Sequence, residues 1–420
     1  SMAKRTNRTK LTFPPYLLQR ILKPYVRLAL KVAFRRIFIV GHENIPTEGP
    51  VVLVGNHQCT LVDSLLIHCM IRRRPFFLAR ADIFKKPILA KILSQLRMLP
   101  IYRIRDGKDQ LSNNEAIFKR VASLLADGEL VALYPEGNHF HEKRIRPLKK
   151  GVSRILSTYY TDHSEPITLI PFGIAYEDQY GFRARVRIEF GQAIEYAELR
   201  ETGAARFQKA LLGKVREGLE ANSIHYSVKA GLGDKELLRK LALRSWDRGW
   251  PTKDHFQAEK SFIEEIEILQ TAEPLAFEEK VKSVHRLPTL DPQQRHGLVI
   301  QAALQRNLKA GPVRLFLMLL VFLAYVFTFP IWGLAALICQ AFAAKMVKKD
   351  AMFFTTIWLA AGLFLYPLFL GLFLIICSAL GLLAKGILFL AFWTVILLSF
   401  DHVFPGFFSI RFPLGDTQLV

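Results

Sequence analysis

Between residues 36 and 195 short apolar runs alternate with amphipathic stretches, and this alternation leaves few folds open. The spacing predicts strands near 36–40, 51–55, 76–80, 100–103, 130–134, 167–174 and 184–190, and helices near 61–71, 87–96, 109–126 and 150–160. Repetition of strand, helix and strand implies α/β layers. Open sheets of this kind bind ligands outside the carboxyl ends of their strands. The residues that close each apolar run are therefore the first place to look for chemistry.

Two runs end on chemically capable residues. Val51 to Gly55 leads into Asn56-His57-Gln58-Cys59-Thr60-Leu61-Val62-Asp63, and Leu133 leads into Tyr134-Pro135-Glu136-Gly137-Asn138-His139. The pair His57 and Asp63 suits a general base whose ring is held by an acid, able to take a proton from a hydroxyl that attacks a thioester. Thr60 to Asp63 also fits a capping box, in which Asp63 only secures a helix start. The second block places Glu136 and backbone amides near the same sheet edge. Cations follow at Lys143, Arg144, Arg146, Lys149 and Lys150, and Arg103 and Arg105 follow an earlier strand. Arginine clustered after strands suits a phosphate group, which it meets with paired, charge-assisted hydrogen bonds.

The chain has 420 residues, and its 51% hydrophobic content is unevenly placed. Residues 1–35 form a basic amphipathic helix suited to a bilayer interface, with Pro24 at its start or at a kink; a surface helix packed on the domain fits the same pattern. Residues 196–311 read as a charged helical extension. Residues 312–411 read as a C-terminal helical membrane domain, with long apolar runs at 315–344 and 352–384, each longer than the ~20 residues of a simple span. Roughly two to five spans, kinked or paired as hairpins, are compatible with the flanking Lys and Arg. The net charge of +21 suits anionic lipid or a polyanionic substrate. Nucleic acid is not expected, because neither an aromatic and basic sheet motif nor zinc-type spacing is present. Four scattered cysteines fit a reducing compartment. Cys59, two residues from His57, fits either a nucleophile or a small buried apolar residue. The polar N-terminal residues lack a signal core, which places the expected catalytic unit on the cytoplasmic side.

Four ordered blocks, Asn56 to Asp63, Leu99-Pro-Ile-Tyr-Arg103, Tyr134 to Gly137 and Ile170-Pro-Phe-Gly-Ile174, resemble the glycerolipid acyltransferases of the PlsC type over roughly residues 35 to 195. The resemblance implies an α/β acyltransferase domain at 36–195, a mixed sheet flanked by helices. It also implies an enzyme that moves a fatty acyl group from acyl-CoA or acyl carrier protein to a hydroxyl of glycerol-3-phosphate or lysophosphatidate, and the apolar runs add the expectation of a membrane-bound, multi-pass chain. Neither a metal nor another cofactor is implied. The resemblance makes His57 the base and Asp63 its partner. It assigns the phosphorylated acceptor to Arg103, Glu136 and Gly137, and gives Pro171 a place near the acyl chain. Two departures stand out. Five residues separate His57 from Asp63 instead of four, an offset of ~100° if all were helical. His139 stands where the family has an arginine, so Arg144, Arg146 or Lys149 is expected to replace it. Both departures suggest a somewhat different acceptor without naming it; a second reading is O-acylation of a lyso-aminolipid or another lysophospholipid, including transacylation.

Overall fold

The computed structural model describes residues 16–102, 113–140, 142–179, 184–245, 253–285 and 354–389, with single helical residues at 338, 341 and 345. Seven strands, β1 (Phe34–Val40), β2 (Val51–Gly55), β3 (Phe76–Arg80), β4 (Met98–Ile101), β5 (Leu130–Leu133), β6 (Thr168–Tyr176) and β7 (Ala184–Phe190), form one sheet in the order β1-β7-β6-β2-β5-β3-β4. Every pairing is parallel except β6 with β7. The exception has a plain cause. Parallel neighbours need a crossover of a dozen or more residues, and the link between Tyr176 and Ala184 is too short for one. Each strand agrees with the expected position to within a few residues.

β2 is buried along its whole length and lies between β5 and β6, which explains why its sequence, Val-Val-Leu-Val-Gly, is apolar on both faces. Leu53, Ile170, Phe172 and Ile174 face a core shared with α1 (Tyr16–Ala33) and α2 (Thr60–Met70). Val52, Val54, Val131, Leu133 and Leu169 face a second core. That core is closed by α4 (Asn113–Ala126), α5 (Gly151–Asp162) and α6 (Ala204–Asn222), while α3 (Pro87–Gln95) packs beside β4. α6 lends Phe207, Leu211, Val215 and Leu219, a four-residue spacing that keeps one stripe on the sheet. The core of the α/β unit therefore continues past residue 195. Gly173 permits this docking, because a Cβ there would lie 1.8 Å from the Asn222 carbonyl oxygen at the end of α6.

Three helices follow, α7 (Leu232–Ser245), α8 (Lys253–Ala272) and α9 (Pro274–His285), joined by Leu238, Ile266 and Phe277. Ala175 of β6 packs with Ile224, Tyr226, Phe256 and Ile263, which ties this layer to the sheet. α1 is docked by Leu30 and Ala33, and Lys23 caps the end of α2 through the Ile71 carbonyl at 3.2 Å.

Of the expected membrane unit, α10 (Phe354–Ala379) is described, together with the residues up to 389 and the three isolated positions. Among the described residues no helix is long and apolar enough to cross a membrane, although the α10 backbone extends over 26 residues. Ala361 and Leu365 of α10 pack on the core shared by α1 and α2. Leu368, Leu372, Ile375 and Ile376 form an exposed stripe. The helix passes through Pro367 and ends near Gly381 (φ 65°), where Leu382 N–H donates to the Cys377 carbonyl at 2.7 Å. The turn falls at a glycine, whose missing Cβ makes the left-handed conformation cheap.

Candidate active site

β2 and β5 are neighbours, so the loops that leave their carboxyl ends meet. Asn56, at the end of β2, is buried and exchanges two hydrogen bonds with Ile174 of β6, donating through Nδ2 at 3.0 Å and accepting through Oδ1 at 2.7 Å. This side chain extends the ladder by one step and sets the direction of the next residue. His57 is then fixed through its backbone. Its N–H donates to Glu136 Oε1 at 3.2 Å, and its carbonyl accepts from Phe140 N–H at 3.0 Å. The two blocks therefore form one structure.

His57 Nδ1 lies 2.8 Å from Asp63 Oδ2. The same oxygen accepts the N–H groups of Gln58 and Cys59, each at 2.8 Å. Oδ1 accepts the Tyr176 hydroxyl at 2.5 Å, and Asp63 is wholly buried. A carboxylate accepts from all of these groups, so Nδ1 is the protonated ring nitrogen and Nε2 the acceptor. The five-residue spacing is absorbed because Gln58 and Cys59 precede the helix and Thr60 opens it at φ 37°. A β-branched residue is strained at that angle, at a cost of about 1–3 kcal/mol. The Thr60-to-Asp63 capping box is not formed as read, since Thr60 is already the first helical residue and Cys59 stands at the N-cap without a side-chain cap. One carboxylate caps the Cys59 N–H and orients the imidazole.

Two tyrosines complete the setting. The Tyr134 ring stacks on His57 at 4.1 Å and 7°, and its hydroxyl accepts from Ser64 Oγ at 3.4 Å. Neither Tyr134 nor Tyr176 stood out in the sequence. Tyr134 carried a weak signal, its place just before Pro-Glu-Gly, whereas Tyr176 carried none until β6 was seen to pass Asp63. Cys59 is buried, and burial, with Asp63 close by, pushes its thiol well up, so it stays a thiol. It packs as a small apolar residue.

The residues expected to bind substrate separate into groups. Arg103 lies outside the described residues. Glu136 is buried, and its Oε2 accepts from the Arg146 backbone N–H and from Arg146 Nε, each at 3.2 Å. Burial pushes its carboxyl above the usual carboxylate range, and Arg146 and the His57 N–H offset only part of that rise. Glu136 therefore ties His57 to the basic loop, and Arg146 also bonds the Asn138 carbonyl. Gly137 closes a turn at φ 73°, donating to the Tyr134 carbonyl at 3.0 Å. A Cβ at Gly137 would lie 3.2 Å from Lys149 Cγ, so the exposed Lys149 runs beside this turn. Arg144 is partly exposed on the same loop. His139 is buried with its ring edge-on to His57, 5.7 Å away.

Pro171 does not join this group. Successive strand residues face opposite sides of a sheet, and Pro171 packs toward α6, where a Cβ on Gly218 would lie 2.8 Å from its ring. Its neighbour Phe172 faces Tyr134 instead, edge-on at 6.0 Å. Among the described residues no group of His, Cys, Asp or Glu is arranged to hold a metal ion.

The family model described as Acyltransferase matches residues 36–175. A 1-acyl-sn-glycerol-3-phosphate acyltransferase of Chlamydomonas reinhardtii is 31% identical over 142 residues, 33% of this chain and 40% of that protein. A chloroplastic 1-acyl-sn-glycerol-3-phosphate acyltransferase of Brassica napus is 30% identical over 123 residues, 29% of this chain and 34% of that one. Glycerol-3-phosphate O-acyltransferase 1 of Saccharomyces cerevisiae is 25% identical over 146 residues, 33% of this chain and 19% of its own. The matched stretch is thus less than half the length of each relative. The crystal structure of the 1-acyl-sn-glycerophosphate acyltransferase PlsC from Thermotoga maritima overlays with a TM-score of 0.35 at 17% identity, covering 51% of this chain and 81% of that one.

Proposed function

We propose, on the premise that residues 36–175 match the acyltransferase family model, that the chain transfers a fatty acyl group from an acyl thioester, acyl-CoA or acyl carrier protein, to a hydroxyl of glycerol-3-phosphate or lysophosphatidate. The observation that carries the reading is the His57–Asp63 pair at 2.8 Å, with Tyr134 stacked on the ring. The acceptor hydroxyl gives its proton to His57 Nε2 as its oxygen bonds to the thioester carbonyl carbon. Asp63 holds Nδ1–H and stabilises the imidazolium that forms. The C–S bond then breaks, and the departing thiolate takes the proton back from Nε2. Arg144, Arg146 and Lys149 supply positive charge for the acceptor's phosphate.

Work at a bilayer surface suits both substrates, because their acyl chains are costly to expose to water. The exposed stripe of α10 supports that placement, as do Arg27 and Lys31 on the outer side of α1. A multi-pass anchor with the catalytic domain on the cytoplasmic side belongs to the same reading.

A second acceptor class has one observation in its favour. His139, where the family has an arginine, is turned inward against His57 and offers no guanidinium to a phosphate. A lyso-aminolipid or another lysophospholipid would need less charge there. Mass spectrometry of products from the purified protein, given oleoyl-CoA or oleoyl carrier protein and a panel of these acceptors, distinguishes the classes. Replacing His57 with Ala should lower kcat on the order of 10³-fold or more with the fold intact. Wild-type turnover by folded His57→Ala protein would end the assignment.

A further inference from the structure

The basic loop that follows β5 is not held by the sheet alone. Four hydrogen bonds reach it from residues 216–236, all beyond the family-matched segment. Glu236 Oε1 accepts from Lys143 Nζ at 3.0 Å, and Tyr226 N–H donates to the Lys143 carbonyl at 2.7 Å. His225 Nδ1 accepts the Ile145 N–H at 2.9 Å, and Arg216 Nη2 donates to the Ile145 carbonyl at 3.1 Å. Burial pulls His225 below the usual imidazole range, which keeps Nδ1 free of a proton and able to accept.

Glu236 is the centre of this brace. Besides Lys143 it accepts from Arg239, at 2.6 Å through Nη2 and 2.8 Å through Nε, and from the Tyr226 hydroxyl at 3.1 Å. The Lys143 side chain is 4% exposed and that of Arg239 1%. Arg239 is tied in turn to Glu259 on α8 at 2.5 Å and to the Glu177 carbonyl, just past β6, at 3.0 Å. Buried ion pairs of this kind add little net stability over apolar packing, and Leu238, Ile266 and Phe277 already hold the helices together. What they add is a fixed direction. One carboxylate joins two buried cations, one from the loop and one from the helical layer.

We infer that Glu236 is a positioning residue for the acceptor, holding through Lys143 the loop that presents Arg144, Arg146 and Lys149. The inference rests on the acceptor reading above. Removing the Glu236 charge leaves the Lys143 ammonium buried without this carboxylate. The loop then loses its tie to α7, and the cations that meet the phosphate are no longer held in one direction.

The test uses full-length Glu236→Gln and Glu236→Asp in lipid vesicles, with lysophosphatidate as acceptor and oleoyl-CoA as donor. Hydrogen exchange of residues 138–149 is followed in parallel. Glu236→Gln should raise the KM for lysophosphatidate about tenfold with kcat within about twofold, and Glu236→Asp should recover part of the loss. Loop exchange should quicken while β2 and β5 stay protected. A merely structural role would lower the active fraction, and so kcat, at unchanged KM. If Glu236→Gln does not fold, Lys143→Met removes the same tie and leaves Glu236 paired with Arg239. Unchanged KM and unchanged loop exchange in a folded variant overturn the proposal. Absence of acyl transfer in the wild type would count against the acceptor reading instead, and the exchange experiment would still decide whether Glu236 holds the loop.

Discussion

Asp63 shows how much one side chain settles. Its two oxygens accept from an imidazole, two backbone N–H groups and a tyrosine, so helix start and ring orientation depend on one buried charge. Tyr176→Phe removes a single donor and no packing volume. Hydrogen bonds to charged groups contribute about 1.5–3 kcal/mol, so thermal denaturation should show a loss of that order, with kcat reduced as the carboxylate loses its second anchor. His68 makes a different prediction. Burial first, then Lys23, Arg97 and Arg74, lower it from the ordinary 6.5 to about 4. Its folded-state value lies below the unfolded one, so the stability it contributes is full above pH 6.5 and is lost as pH falls through about 4. The stability of the wild type should fall across that window by on the order of 3 kcal/mol, read as a lower Tm, and His68→Gln should flatten the fall.

At the scale of elements, the site depends on which strands are neighbours. β2 lies between β5 and β6, which brings His57, Glu136 and Tyr176 to one edge although more than a hundred residues separate the first from the last. α6 supports the arrangement from behind through the contact of Asn222 with Gly173. Gly173→Ala would place a methyl group against backbone that has nowhere to move. The expected cost is about 3 kcal/mol or more in urea unfolding, since overpacking here displaces a whole helix rather than a side chain. An unchanged unfolding midpoint would show that α6 is not seated as described. The helical layer α7 to α9 rests on the sheet through Ala175 and touches the basic loop through Glu236.

For the whole molecule, charge and apolar surface act together. In the proposed reading a net charge of +21 favours anionic lipid, and the exposed α10 stripe offers apolar surface to bury there. Leu372→Glu combined with Ile376→Glu should reduce co-sedimentation with vesicles containing anionic lipid. The remaining binding should be the part that weakens as salt is raised. Co-sedimentation equal to wild type would assign the attachment to other segments. The same α10 packs on the core shared by α1 and α2, so its exposed stripe is mechanically joined to the α/β domain.

Strand positions, the layer class and the pairing of His57 with Asp63 were legible in the residues themselves, because period, turn chemistry and short-range spacing are local properties. The roles of Tyr134 and Tyr176, the inward turn of His139 and the placement of Pro171 away from the site were not. Each depends on strand order or on the parity of a residue along its strand, and a one-residue change in parity moves a side chain to the other face of the sheet. The brace from Glu236 lay further still from view, since Lys143 and Glu236 are 93 residues apart in the chain. Local sequence settles what each segment can form; which distant side chains share a buried charge is decided only when the layers close and water is excluded from between them.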